Sequence, residues 1–87
     1  MKNFDNLRAH LELQDWPSVY MFKFIVENDN HKMAQVSALF DENADINYHH
    51  SSNGKYVSVS VKEVMLSPDS VIEIYEKAAQ IPGIISL

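Results

Sequence analysis

At 87 residues the chain has room for one small hydrophobic core, burying roughly 60% of the surface an unfolded chain exposes. Its 46% hydrophobic and 22% charged residues are those of a globular chain rather than a disordered one, and a formal net charge of −5 opposes the counterion release that drives nucleic-acid binding. The absence of cysteine excludes disulfides, thiol catalysis and thiolate metal sites.

Phe4, Leu7 and Leu11 recur at helical spacing behind Asn3, a residue suited to capping. They predict a short amphipathic helix from about Phe4 to Glu12 that lies on the body as a flap, so positions 1–15 are read apart from a single domain over 16–87. Trp16-Pro17 breaks the pattern, because the residue before proline is pushed out of the α region. A strand is expected over Val19 to Val26, with Tyr20, Phe22, Phe24 and Val26 on its buried side and Val19, Met21, Lys23 and Ile25 on the other. Asn30 is the expected cap of the first core-facing helix, along which Met33, Val36, Ser37 and Phe40 keep helical spacing to about Asp41.

Residues 51–61 read Ser-Ser-Asn-Gly-Lys-Tyr-Val-Ser-Val-Ser-Val, a turn signal followed by strict alternation. If Asn53-Gly54 forms a two-residue type I′ turn, Ser52 faces Lys55 and the register runs outward from there. Val57 then meets His50, Val59 meets Tyr48 and Val61 meets Ile46. On the other face His49 meets Ser58, Asn47 meets Ser60 and Asp45 forms a cross-strand charge pair with Lys62. A slip of one residue would bury Asn47 and expose the valines, so the pairing is strongly specified.

Ser67 and Pro68 are a helix start, a hydroxyl cap and a proline at the first helical position, with Asp69 near the positive end of the helix dipole. Val71, Ile72, Ile74, Tyr75, Ala78 and Ala79 give that helix one broad apolar face until Pro82-Gly83 stops it, and Ile84 to Leu87 reads as a final edge strand. The order is strand, helix, strand, strand, helix, strand. This is the α+β, ferredoxin-like βαββαβ plan, a four-stranded antiparallel sheet with two helices on one face, here with a short N-terminal helix added.

Trp16-Pro17 followed by the aromatic strand with Lys23, the segment from Ser51 to Val61, and Val71 with Tyr75 together resemble the YbeD-like family of small uncharacterised bacterial proteins. The resemblance runs from about Trp16 to Leu87, and Gly54, Tyr56 and Ser58 are its most specific part. It implies a ferredoxin-like fold akin to that of ACT regulatory domains, in a cytoplasmic protein of unknown function, and it transfers no catalytic residue. ACT domains usually carry glycine in the turn after the first strand, where an amino-acid effector approaches the backbone. The corresponding turn here, Val26 to His31, has no glycine and two acids.

Chemistry-bearing residues are sparse. His49 and His50 are neighbours on a strand, so they point to opposite faces and cannot grip one metal ion; His50 is expected at the rim of the core. His49 beside Ser58 lacks an orienting carboxylate and an oxyanion hole. An RNA-binding sheet stacks bases on aromatics of its open face, whereas Tyr20, Phe22 and Phe24 belong to the helix side and only Tyr56 stands on the open side. No enzyme, cofactor, metal or nucleic-acid partner is expected. The apolar runs are too short to span a bilayer, and the N-terminus turns polar where a signal peptide is apolar, so a cytoplasmic location without a membrane partner is expected. The reading is a regulatory or adaptor module that binds a protein partner or a second copy of itself through Lys23, Asn47, His49, Ser58, Ser60 and Lys62, or through an edge strand. The alternative is an ACT-like sensor that holds a small effector at a subunit interface.

Overall fold

The computed structural model describes residues 4–87. Their elements run α1 (Asp5–Glu12), β1 (Ser18–Glu27), α2 (Asn30–Ser37), β2 (Asp45–His50), β3 (Tyr56–Met65), α3 (Pro68–Ala78) and β4 (Ile85–Ser86). The strands form one antiparallel sheet in the order β2-β3-β1-β4, the ferredoxin-like order. Alternate residues of the two central strands build the core: Phe22, Phe24 and Val26 from β1 and Val57, Val59 and Val61 from β3 are all buried. Val36 of α2 and Val71, Ile72, Tyr75 and Ala78 of α3 close over them. The aromatic side of β1 is an interlocked cluster, with the Phe22 ring 5.2 Å from Phe40 and 5.3 Å from Tyr75 between centroids. Burial and a hydrogen bond with the Tyr20 hydroxyl raise the Tyr75 pKa well above the ordinary tyrosine value.

The hairpin has the predicted register: Ile46 pairs with Val61, Tyr48 with Val59, His50 with Val57, and on the other face Asn47 with Ser60 and His49 with Ser58. Its turn differs. A type I′ turn needs positive φ at both central residues, and only Gly54 has it, at 73°. The Gly54 amide instead donates to the Ser51 carbonyl at 3.0 Å, and Ser51 donates its own amide to the Tyr56 carbonyl at 2.9 Å, so residues 52–55 form a four-residue loop. Side chains complete it. The Lys55 amide donates to Asn53 Oδ1 and the Tyr56 amide to Ser51 Oγ, replacing the Ser52 to Lys55 ladder bonds that were expected. Both loops preserve parity, which is why the register survives the different turn.

Three boundaries also differ. Helix α2 is capped by the Asp29 side chain, which accepts from the His31 amide at 2.8 Å, and Asn30 is already helical. An extended Asp29 presents its carboxylate to the second helical amide, which Asn30 cannot do from inside the helix. That helix ends at Ser37, and Phe40 reaches the core from the following turn. His50 and Tyr48 share the helix side of the sheet, yet both are exposed, because β2 is the outermost strand and no helix reaches over its end. Ala79 is exposed just past the end of α3.

Helix α3 begins as its sequence predicts, with Ser67 and Ser70 bonding reciprocally in a capping box behind Pro68. Asn3, the predicted cap of α1, lies outside the described residues. The α1 helix packs against α3: Leu11 is fully buried, Phe4 stacks on Tyr75, and Arg8 pairs with Asp69. The Trp16 indole donates to the Leu11 carbonyl at 2.8 Å and ties the end of α1 to the start of β1, next to the cis Trp16-Pro17 bond.

Candidate interaction surface

Helices cover one side of the sheet and leave the other open. Registers place the open face in rows. His49, Ser58, Ile25 and Ile85 lie side by side across the four strands. The next row holds Asn47, Ser60 and Lys23, and the Leu87 amide donates to the Lys23 carbonyl at 2.9 Å, which sets Leu87 beside them. Asp45, Lys62 and Met21 come next, then Val64 and Val19, while Tyr56 and Glu27 close the opposite end. The six residues singled out in the sequence, Lys23, Asn47, His49, Ser58, Ser60 and Lys62, therefore fall on one surface.

Asp45 and Lys62 stand opposite each other as the register requires, but they form no ion pair; among the described residues the pairs are Arg8 with Asp69 and Glu73 with Lys77. Both lysines of the open face are thus without an ion-pair partner among the described residues. Ser58 and His49 are register partners with no hydrogen bond between them.

The dominant feature of this face was only partly legible in the sequence. Nine large apolar side chains stay exposed among the described residues, and six of them stand on the open face: Val19, Met21, Tyr56, Val64, Ile85 and Leu87. Val64 is 59% exposed while Val59 of the same strand is 0% exposed. The signal was the strand parity itself, since Val64 lies an odd number of residues from Val61 and so faces away from the core. Beside it, a shallow cavity of about 390 Å³ is lined by Val19, Lys62, Val64 and the acids Asp41 and Glu63.

Because the Lys23 carbonyl faces β4, alternate residues Val19 and Met21 direct their amides and carbonyls toward the same side of β1. At the opposite end of the sheet a polar hollow of about 530 Å³ is lined by Glu27, Asn28, Asp29, Gly54, Lys55 and Tyr56. Its walls are tied together by Asn28, whose side chain donates to the Gly54 carbonyl and whose amide donates to that of Lys55.

Comparison with known families decides the affiliation. The model of a protein family of unknown function, DUF493, matches residues 11–87. The chain belongs to the DUF493 family. The match agrees with the resemblance carried by Trp16-Pro17 and the hairpin, and it starts earlier, at the buried Leu11. No curated protein and no solved structure matches the chain. In this DUF493 member no helix among the described residues is long and apolar enough to cross a membrane.

Proposed function

We propose that this protein is a non-enzymatic regulatory or adaptor module of the cytoplasm that binds a protein surface through the open face of its sheet or through an edge strand. The observation that carries this reading is the concentration of exposed apolar side chains on the open face, around two lysines with no ion-pair partner among the described residues. Isolated exposed apolar residues need no explanation, whereas a contiguous set of them rimmed by polar groups marks an interaction site.

The test compares the native chain with a Val19→Ser, Met21→Ser, Val64→Ser variant and with a Lys23→Glu, Lys62→Glu variant. Each is immobilised, challenged with native lysate and washed, and captured proteins are identified by mass spectrometry, with circular dichroism as the folding control. The reading expects capture by the native chain and its loss in both variants. Capture that persists undiminished in both would remove the open face as the binding surface.

A second reading, a sensor of a small effector held between subunits, is favoured by the polar hollow beside the turn after β1. A metabolite that binds there stabilises the native state, so a thermal-shift screen of amino acids and related polar metabolites is its test.

A further inference from the structure

We propose that the outer edge of β2 is a self-association surface, along which a second copy of this chain adds its own β2 antiparallel, about a two-fold axis perpendicular to the sheet and passing between the two Tyr48 residues. This takes up the edge-strand part of the reading above, names the edge and its partner, and leaves the open face uncovered.

Of the two edges of the sheet only one is long. In the order β2-β3-β1-β4 the outer strands are β2, with 6 residues, and β4, with 2. Natural sheets blunt a long edge with proline, lysine or a bulge. None of these occurs in β2, which reads Asp-Ile-Asn-Tyr-His-His and keeps an unbroken register with β3 from Asp45 to His50. Every residue of the strand except Ile46 is exposed.

Backbone direction decides which residues can pair. The Ser51 amide donates to the Tyr56 carbonyl, so Ser51 faces β3, and alternation turns Asn47 and His49 the same way. Ile46, Tyr48 and His50 direct their amides and carbonyls outward, and no hydrogen bond among the described residues takes them up. A second β2 has to set outward residues against outward residues. The register centred on Tyr48 engages all of them, pairing Tyr48 with its counterpart and Ile46 with the partner's His50 at either side, for about six hydrogen bonds. A centre on Asn47 sets His50 against the partner's Ala44, whose amide is already given to the Asp41 carbonyl, and a centre on His49 sets Ile46 against the hairpin loop.

The side chains suit the same centre. Tyr48, 45% exposed where no helix reaches, lies beside its own counterpart, a cross-strand aromatic pair. Charge has a direction along the strand: Asp41, Glu42 and Asp45 gather at its start, His49 and His50 at its end. Antiparallel addition sets each acidic start beside the histidine end of the other copy, and an imidazole donates an N–H in either protonation state. One rotation satisfies both ends at once, as an isologous interface requires. Pairing β2 with the β4 of another copy would be heterologous and would have a two-residue strand to hold.

Contact along one strand is smaller than the about 800 Å² per partner of a standard interface, so the dimer is weak and concentration-dependent. It fuses two four-stranded sheets into one, and the perpendicular axis keeps both open faces on the same side. A partner of the open face then meets two copies together.

Sedimentation equilibrium of the native chain and of two edge variants tests the surface. Tyr48→Lys sets two ammonium groups side by side on the axis, and Tyr48→Pro removes an outward amide that the monomer does not use, a substitution that edge strands accept. Each should raise the dimer dissociation constant at least about tenfold, with circular dichroism as the folding control. Because the chain has no cysteine, single substitutions read the register directly. In the register centred on Tyr48 only Tyr48→Cys brings two thiols into line, on backbones about 5.5 Å apart, a separation that a disulfide spans. Under mild oxidation it should give cross-linked dimer at least about tenfold faster than Asn47→Cys or His49→Cys.

A native chain that stays monomeric at high concentration overturns the proposal and leaves capture of another protein by the open face to its own test. A native dimer indifferent to both Tyr48→Lys and Tyr48→Pro overturns this edge as the contact, and faster cross-linking through Asn47→Cys or His49→Cys overturns the register.

Discussion

The two faces of one sheet are built from the same strands and largely the same residue types, and they have opposite fates. On β3, Val57, Val59 and Val61 are fully buried, while Val64 is 59% exposed; on β1, Phe22 and Phe24 are fully buried, whereas Met21 and Val19 are exposed by 53% and 64%. Hydrophobicity alone does not decide burial. Position relative to the helices does, because a side chain is removed from water only where another layer meets it. An apolar residue facing away from that layer contributes nothing to the fold of the monomer, and it is therefore the place to look for a partner.

The sharpest way to break this comparison is truncation. Phe22→Ala removes a ring wedged among Tyr20, Phe24, Phe40 and Tyr75, and should lower stability by about 3 to 5 kcal/mol in urea denaturation. A loss under about 1 kcal/mol would mean that the aromatic side does not hold the core together.

The buried side should also show in alkali. Desolvation and the hydroxyl of Tyr20 hold Tyr75 protonated in the folded state well above its ordinary pKa. Its stabilisation is complete below the unfolded value near pH 10 and is lost as pH rises from there toward the folded value. Stability should fall by up to about 1.4 kcal/mol per pH unit above about pH 10, and Tyr75→Phe should flatten that slope by one proton. An unchanged slope would place the tyrosine hydroxyl in contact with water.

Parity, which assigns residues to faces, depends on the hairpin loop. Gly54→Ala should cost about 1 to 2 kcal/mol through its left-handed backbone alone, since an added side-chain carbon meets nothing within 4 Å. Gly54→Asn should cost less, and equal costs for the two would point to a steric cause instead. The helix layer offers a similar contrast: Asp29→Ala should cost about 1 kcal/mol by removing the α2 cap, and Asn30→Ala should be near neutral.

The smallest expected effect lies on the open face. Val64→Ser and Met21→Ser should change stability by no more than about 0.5 kcal/mol in urea denaturation of dilute protein. Losses comparable to Phe22→Ala would show that both faces are packed within one chain and would abolish the distinction.

Sequence alone determined the features that arise from short-range periodicity. The alternation of valines after Gly54, the aromatic parity of β1, and Ser67-Pro68 at the start of α3 each encode a local conformation, and the hairpin register came with them because a one-residue slip would bury Asn47. Of the candidate site, the six polar positions, with Val19 and Met21, were assigned to the open face by parity, although Val64, Ile85 and Leu87 around them needed the full strand lengths and the pairing of β4 to emerge.

Tertiary structure decided the rest. The choice of Asp29 over Asn30 as cap, and of a four-residue loop over a type I′ turn, turns on hydrogen bonds between side chains and backbone that several local arrangements can satisfy about equally. The exposure of Tyr48 and His50 depends on how far the helices reach across the sheet, and the docking of α1 against α3 depends on Leu11 and Phe4 finding partners far along the chain. Such contacts carry no periodic signature in the chain, because what fixes them is the shape of the surface on which each element comes to rest.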